Sequence, residues 1–370
     1  MSLNTLEHPG AAAARRHDRC LLTARERIAL LLDPRSFTEL DHDDGVLTGR
    51  GEVEGRPVHL WAHDLRFDGG VLSEASAGRI HRLMDTALAE GTPVVALNDC
   101  AGVREEVAAP DGYGGILRRA AAMAGTVPQV TVLLGPCPGG TSYTAALADF
   151  VFAVRDSAAP ATAQFLYDDE PTCLEEVRRL LALLPPNRRE PPRDEPSEDP
   201  PEREVRVVRD RAGLDVGDLV EEIADDGDCV NVRTGPGTRC ALARIGGHAV
   251  GLVAACDRAA GAGDAARFVG FCDTFGIPLV TVADVPPVRP HPDLLAAYCS
   301  ATVPRISLLL RPVAAAGGLT LDSRPLGADV CLAWRDEGPR PVADEVIQPA
   351  QTRRVLARWL AVLRSRGAPR

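Results

Sequence analysis

Residues 126–143 read TVPQVTVLLGPCPGGTSY, and the fold turns on how that stretch is read. Its first half, Val130-Thr131-Val132-Leu133-Leu134, is β-branched and apolar without alternation, the pattern of a strand buried on both faces. It stops at Gly135-Pro136-Cys137-Pro138-Gly139-Gly140. There proline removes amide donors, while paired glycines permit a sharp turn with exposed N–H groups. The small residues beyond it, Thr141-Ser142 and Ala145-Ala146, can open a helix. Strand, glycine turn and helix N-terminus together aim free amides at an oxygen carrying negative charge. A tight βα turn without a ligand is the competing reading, and one glycine pair does not decide between them.

The unit occurs twice. TVPRISLLL at 302–310 answers TVPQVTVLL at 126–134 and also runs into proline and small residues, PVAAAGG at 312–318. TPVVALND (92–99) is echoed by IPLVTVAD (277–284), and LADFVFAVRD (147–156) by GADVCLAWRD (327–336). VEGRPVHLWAHD (53–64) has its counterpart in IGGHAVGLVAACD (245–257). Four blocks in one order mean two copies of one α/β unit.

A chain of 370 residues has room for about two or three domains, which agrees with the duplication. A net charge of −11 argues against nucleic acid, whose phosphates demand clustered Lys and Arg. With no signal-peptide pattern and no long apolar run, the expectation is a soluble, cytoplasmic protein. The ten cysteines include no CxxC pair. Cys137, Cys256, Cys272 and Cys331 sit in apolar runs, where a reduced, buried thiol is the commoner state. The same lack of paired cysteines and His clusters points away from a structural zinc site, so no metal is expected.

Along the chain, residues 1–20 read as a loosely held arm or a first helix. Thr23 is placed to cap a helix with Glu26 completing a capping box, and Asp33-Pro34 ends it. A β-rich passage follows to residue 64. A helix is predicted over 73–90, with Ile80, Leu83, Met84 and Leu88 on one face and Gly91 as its stop. A strand over 93–97 and a helix over 113–124 lead into the central unit. Residues 185–203, PPNRREPPRDEPSEDPPER, are proline-rich and nearly free of hydrophobes, and read as a linker unable to order itself by burial. The second copy then offers a helix from 219, strands over 241–255 and a helix over 264–275. A basic amphipathic helix over 352–366 ends the chain.

These residues carry a family resemblance. LTARERIALLLDPRSFTELD, GRGEVEGRPV, GTPVVALND, TVPQVTVLLGPCPGG, ARFVGFCDTFGIPLVTVADVP, ATVPRISLLL and LGADVCLAW resemble the carboxyltransferase β subunits of biotin-dependent acyl-CoA carboxylases. Propionyl-CoA and acetyl-CoA carboxylases are nearest in pattern, and the similarity covers most of the chain from Leu22 onward. It implies an α/β protein of two tandem crotonase-like (spiral β/α) domains: residues 1–184, a linker at 185–203, and residues 204–370. It implies an oligomer in which the N-domain of one subunit faces the C-domain of another. Its chemistry transfers CO2 from carboxybiotin, carried by a partner protein, to the α-carbon of an acyl-CoA, with no metal in that step.

The mechanism suits the repeated turn. Removing a proton or CO2 from the carbon α to a thioester builds an enolate oxygen, and one amide held ready for it is worth about 3 kcal/mol. By resemblance, Gly139 and Gly140 form the thioester-facing pair. The biotin-facing pair falls on Ala316 and Gly317, or one residue later on Gly317 and Gly318. Ala101, Gly102, Arg104, Thr141 and Gly318 are the candidate substrate contacts, Arg104 for a CoA phosphate.

The departures matter too. Where relatives carry Tyr-Asp after the second turn, this chain has Gly318-Leu319, and their Ser-Gly-Gly-Ala-Arg is here Cys100-Ala101-Gly102-Val103-Arg104. Three segments are missing, after residues 156, 286 and 334, the first and third at equivalent places in the two copies. Asp99 and Asp284, at matching strand ends, read as capping or turn residues. His63 is the best-placed imidazole, His248 and His291 fall in exposed turns, and Cys137 lacks a neighbouring base. Three functions remain: a carboxyltransferase subunit acting with a biotin carboxylase and carrier; a biotin-independent decarboxylase of a malonyl-type thioester, with no cofactor; and a non-catalytic partner of a full-length carboxyltransferase.

Overall fold

The computed structural model describes residues 21–41, 45–100, 112–137, 140–155, 157, 163–200, 203–206, 216–232, 238–255, 262–284, 292–310, 322–335 and 343–367. Two compact units divide the chain: Met1–Ala182 with Pro186–Arg188, and Leu183–Pro185 with Arg189–Arg370.

The first unit opens with α1, Ala24–Leu31, begun by the predicted capping box: the Thr23 hydroxyl accepts from the Glu26 amide and the Glu26 carboxylate from the Thr23 amide. Seven strands then lie side by side in chain order: β1 Thr38–Asp41, β2 Val46–Val53, β3 Arg56–His63, β4 Val94–Asn98, β5 Gln129–Leu133, β6 Phe150–Val154 and β7 Phe165–Tyr167. β1 to β3 pair antiparallel, and every pairing from β3 onward is parallel. The β2–β3 hairpin closes over Glu54 and Gly55, both with positive φ, the two-residue turn whose twist matches that of the strands. β4, β5 and β6 are buried along their whole length, as their unbroken apolar runs require. Helix α2, Glu74–Glu90, starts at the Ser73 cap and stops at left-handed Gly91; it packs Ile80, Leu83, Met84 and Ala87 against the sheet. Helix α3, Tyr113–Met123, precedes β5, and α4, Gly140–Leu147, follows it. Helix α5 runs over Glu170–Leu183. Asp169 accepts from the Thr172 amide there, and Pro171 is tolerated in a first turn, which needs no intrahelical donor.

The second unit repeats this. Strands β8 Cys229–Val232, β9 Thr238–Ile245, β10 His248–Ala255, β11 Leu279–Ala283, β12 Arg305–Leu309, β13 Val330–Trp334 and β14 Glu345–Ile347 form a sheet in the same order and sense. Helices α6 Val216–Ile223, α7 Ala262–Thr274, α8 Pro292–Ser300 and α9 Thr352–Gly367 accompany it. The duplication reaches single hydrogen bonds. The Gln129 amide donates to Asp149 and the Arg305 amide to Asp329, at 2.8 and 2.9 Å. The hairpin β9–β10 closes over Gly246 and Gly247, again with two positive φ values. In both copies ten residues (155–164 and 335–344) separate the last two parallel neighbours.

A clamp is duplicated as well. After α1, Asp33 accepts from the Gly55 amide in the hairpin turn (2.8 Å) and from Arg178 of α5 (2.8 Å). After α6, Asp225 accepts from the Gly246 and Gly247 amides (2.8 and 2.7 Å) and is ion-paired with buried Arg353 of α9. Burial alone would raise the Asp225 carboxyl, but the Gly247 amide, Arg353 and the Gly246 amide outweigh it and hold it below its ordinary 3.8. A carboxyl held low in the folded chain stabilises above the unfolded value and loses that contribution as pH falls through the folded one. Asp225→Asn is therefore expected to destabilise most at neutral pH, with the gap to the unaltered protein narrowing below pH 3.8. Urea unfolding over a pH series measures this; a constant gap would contradict the clamp.

The proline-rich passage is not left unordered. On the second unit, the Glu195 amide donates to Gly247 O (3.0 Å) and Glu195 pairs with buried Arg244 (3.3 Å). Asp194 pairs with Arg364, and Arg353 donates to Pro200 O at 2.6 Å. A segment poor in hydrophobes is held here by charge-assisted hydrogen bonds, which composition alone does not reveal.

Candidate active site

The first turn is built on fixed strand ends. Beyond β5 the Leu134 amide donates to Asn98 O (2.9 Å), and beyond β4 the Cys100 amide donates to Pro136 O (3.2 Å). Gly140 is the first residue of α4, so the strand, turn and helix order read from the sequence is the order found. The first amides of a helix have no acceptor within it. Gly135 is glycine for want of space: a Cβ there would lie 2.0 Å from Asp99 Oδ1. That carboxylate is held by Arg27 at 2.7 Å, and Arg27 also binds Glu170, Nε to Oε2 at 2.9 Å. All three are almost wholly buried. Helix α1, the end of β4 and the start of α5 thus converge beneath the turn. Asp99 is an ion-paired support for it.

Cys137 lies inside the turn and packs with Cys100, Leu133, Ala145, Val151 and Ala153. A hydrogen bond to the Cys100 thiol, then burial, push the Cys137 thiol far above its ordinary value. It is a protonated thiol at neutral pH, as the missing base suggested.

The second turn has the same entrance, the Leu310 amide donating to Ala283 O at 3.0 Å. Its far end is pinned at Asp322, buried with φ +52°. Asp322 accepts from the Thr281 hydroxyl (2.9 Å) and from Arg305 (3.0 Å), and burial pushes it up to about 7 despite Arg305. The Tyr298 hydroxyl meets Thr281 at 2.9 Å. Both turns are thus entered through one backbone bond; only the second has a buried carboxylate at its exit among the described residues.

Gly139, Ala101, Gly102, Arg104, Ala316, Gly317, Gly318 and His291 lie outside the described residues. Thr141 is the second residue of α4. His63 is buried with Nδ1 2.8 Å from Gly70 O, a locally satisfied ring. His248 is a correction: it opens β10, half-buried, 3.1 Å from Asp194, because the ordered proline-rich passage covers it. Asp284 follows β11, also half-buried. Sequence reasoning missed Arg27 and Glu170; 143 positions apart, they carry no shared local signal. Among the described residues no group of three or more His, Cys, Asp or Glu is placed to hold a metal, and no helix is long and apolar enough to cross a membrane.

Comparison with known proteins agrees with this geometry. Residues 15–162 and 160–338 match the carboxyl transferase domain family. The carboxyltransferase subunit of propionyl-CoA carboxylase from Haloferax mediterranei is 35% identical over 398 residues, covering 87% of this chain and 77% of that one. That alignment is longer than the whole 370-residue chain, so part of the relative's length is skipped within the aligned region. The methylmalonyl-CoA decarboxylase subunit alpha of Propionigenium modestum is 31% identical over 85% of this chain and 75% of its own. Among solved structures, transcarboxylase 12S with methylmalonyl-coenzyme A and methylmalonic acid bound superposes with a TM-score of 0.84 at 28% identity, covering 97% of this chain and 93% of that one. Two sheets of one order, two turns entered through one backbone bond, and a family match over most of the length place this chain in the carboxyl transferase family, as a crotonase-like member of the acyl-CoA carboxyltransferases.

Proposed function

We propose that this chain is the carboxyltransferase component of an acyl-CoA carboxylase, moving CO2 between carboxybiotin on a partner carrier and the α-carbon of a short acyl-CoA. The observation that carries this is the placement of Gly140 at the head of α4, directly after a turn locked at Asn98–Leu134 and Cys100–Pro136. A thioester oxygen at that head would accept from the amides of Gly139 and Gly140. When the α-carbon loses a proton or CO2, the electron pair of the broken bond moves onto that oxygen. The amides stabilise the charge without rearranging, and the positive end of α4 adds to them. Ala101, Gly102, Arg104 and Thr141 are proposed to seat the acyl-CoA, and Ala316, Gly317 and Gly318 to face the carboxybiotin. Assembly with further copies or a related subunit belongs to the same proposal.

A second reading rests on the internal shortening and on the decarboxylase subunit among the similar proteins: removal of CO2 from a malonyl-type thioester with no carboxybiotin. One assay separates them. Purified protein is given malonyl- or methylmalonyl-CoA without biotin or ATP, then propionyl- or acetyl-CoA with a carboxylated biotin carrier. Transfer in the second arm alone is the expected result, and CO2 release in the first would favour the decarboxylase. Activity in neither arm, with co-purification of a longer homologue, would mark a non-catalytic partner.

A further inference from the structure

We propose that Cys100 and Cys137 are a disulfide-forming pair, a modification site that can close covalently beside the thioester-facing turn. The ladder register, with Asn98 opposite Leu133, ends with β4 and β5; just past it the Cys100 amide donates to Pro136 O, which brings Cys100 beside the 136–137 peptide. The two side chains also point the same way: both thiols lie in one small apolar cluster and are hydrogen-bonded to each other. Both are free thiols in the structure.

The co-reactant is hydrogen peroxide. The thiolate of Cys137, the less deeply buried of the two, attacks one peroxide oxygen; the O–O bond breaks, water leaves and a sulfenic acid forms. The Cys100 thiol then attacks that sulfur, the S–S bond forms and the sulfenic oxygen departs as a second water. Two thiol hydrogens and two electrons have reduced one peroxide to two waters. A small dithiol reverses the bond.

The consequence for catalysis rests on the function proposed above. Joining the sulfurs brings them to about 2.05 Å, drawing Pro136–Cys137 toward β4. Ala145 of α4 packs in the same cluster, so the helix that starts at Gly140 shares the displacement. A shift of about 1 Å at a reacting centre can cost about 100-fold in rate. Turnover is therefore expected to fall about 10- to 100-fold on oxidation. Because the attacking thiol is protonated at neutral pH, bond formation should quicken about tenfold per pH unit between pH 7 and 9.

The test uses the full chain. Native protein is treated with hydrogen peroxide, its remaining thiols are alkylated under denaturing conditions, and tryptic peptides are weighed. The expected product joins the Cys100 and Cys137 peptides, two hydrogens lighter than their sum, and disappears with dithiothreitol as turnover returns. Cys100→Ser should yield no joined peptide and keep its own turnover through the same peroxide exposure. The proposal is overturned if no such peptide forms, if Cys100→Ser is inactivated like the parent, or if the bond forms without loss of turnover. The mass readout needs no substrate, so its failure is distinct from failure of the carboxyltransfer reading.

Discussion

Gly140→Pro is expected to lower kcat about 10²- to 10³-fold, with kcat/KM falling in step and the fold intact. Gly140 opens α4, and proline is favoured in a first helical turn, where its fixed φ suits the helix and its missing N–H breaks no intrahelical bond. The substitution thus removes one donor and little else. Loss of a single donor to a developing oxyanion costs about 3–4 kcal/mol, and an interaction made only in the transition state lowers both kinetic parameters alike. Steady-state kinetics in whichever arm of the assay is active, with circular dichroism as a check on folding, measures the effect. Unaltered kcat in a folded variant would remove Gly140 from the chemistry.

Arg27→Met should give the largest loss of stability, about 3–5 kcal/mol, the usual cost of breaking a buried ion pair from one side. The guanidinium is 1% exposed, and the variant leaves Glu170 and Asp99, each 2% exposed, without it. Urea unfolding should show a lower midpoint at unchanged slope. The double variant Arg27→Met with Glu170→Gln should recover part of the loss, since one of the two stranded charges is then gone. Activity should fall in Arg27→Met as well, because Asp99 occupies the space over Gly135 from which the turn departs. A midpoint unchanged from the parent would show that the triad contributes little to stability.

The extent to which sequence anticipated structure follows the range of each interaction. Thr23 and Glu26 sit three residues apart, as do Ser73 and Ser76, and α1 and α2 begin where capping chemistry places them. The strands beside the turns were legible because burial on both faces demands long apolar runs. The site was legible only in part. A centre that works through peptide N–H groups leaves few side-chain marks, and repetition of the turn, with its family resemblance, had to supply the signal.

Order along the chain settled the repeated α/β units, their family and the strand–turn–helix that begins α4 at Gly140, since each depends on neighbours in sequence. Folding in three dimensions alone brought Arg27 to Glu170 and Asp99, set the Asp99 carboxylate over Gly135, faced Cys100 with Cys137 and fastened the proline-rich passage through Asp194 and Glu195. Those partners lie tens of residues or more apart, and no local rule of periodicity, capping or turn chemistry reaches that far.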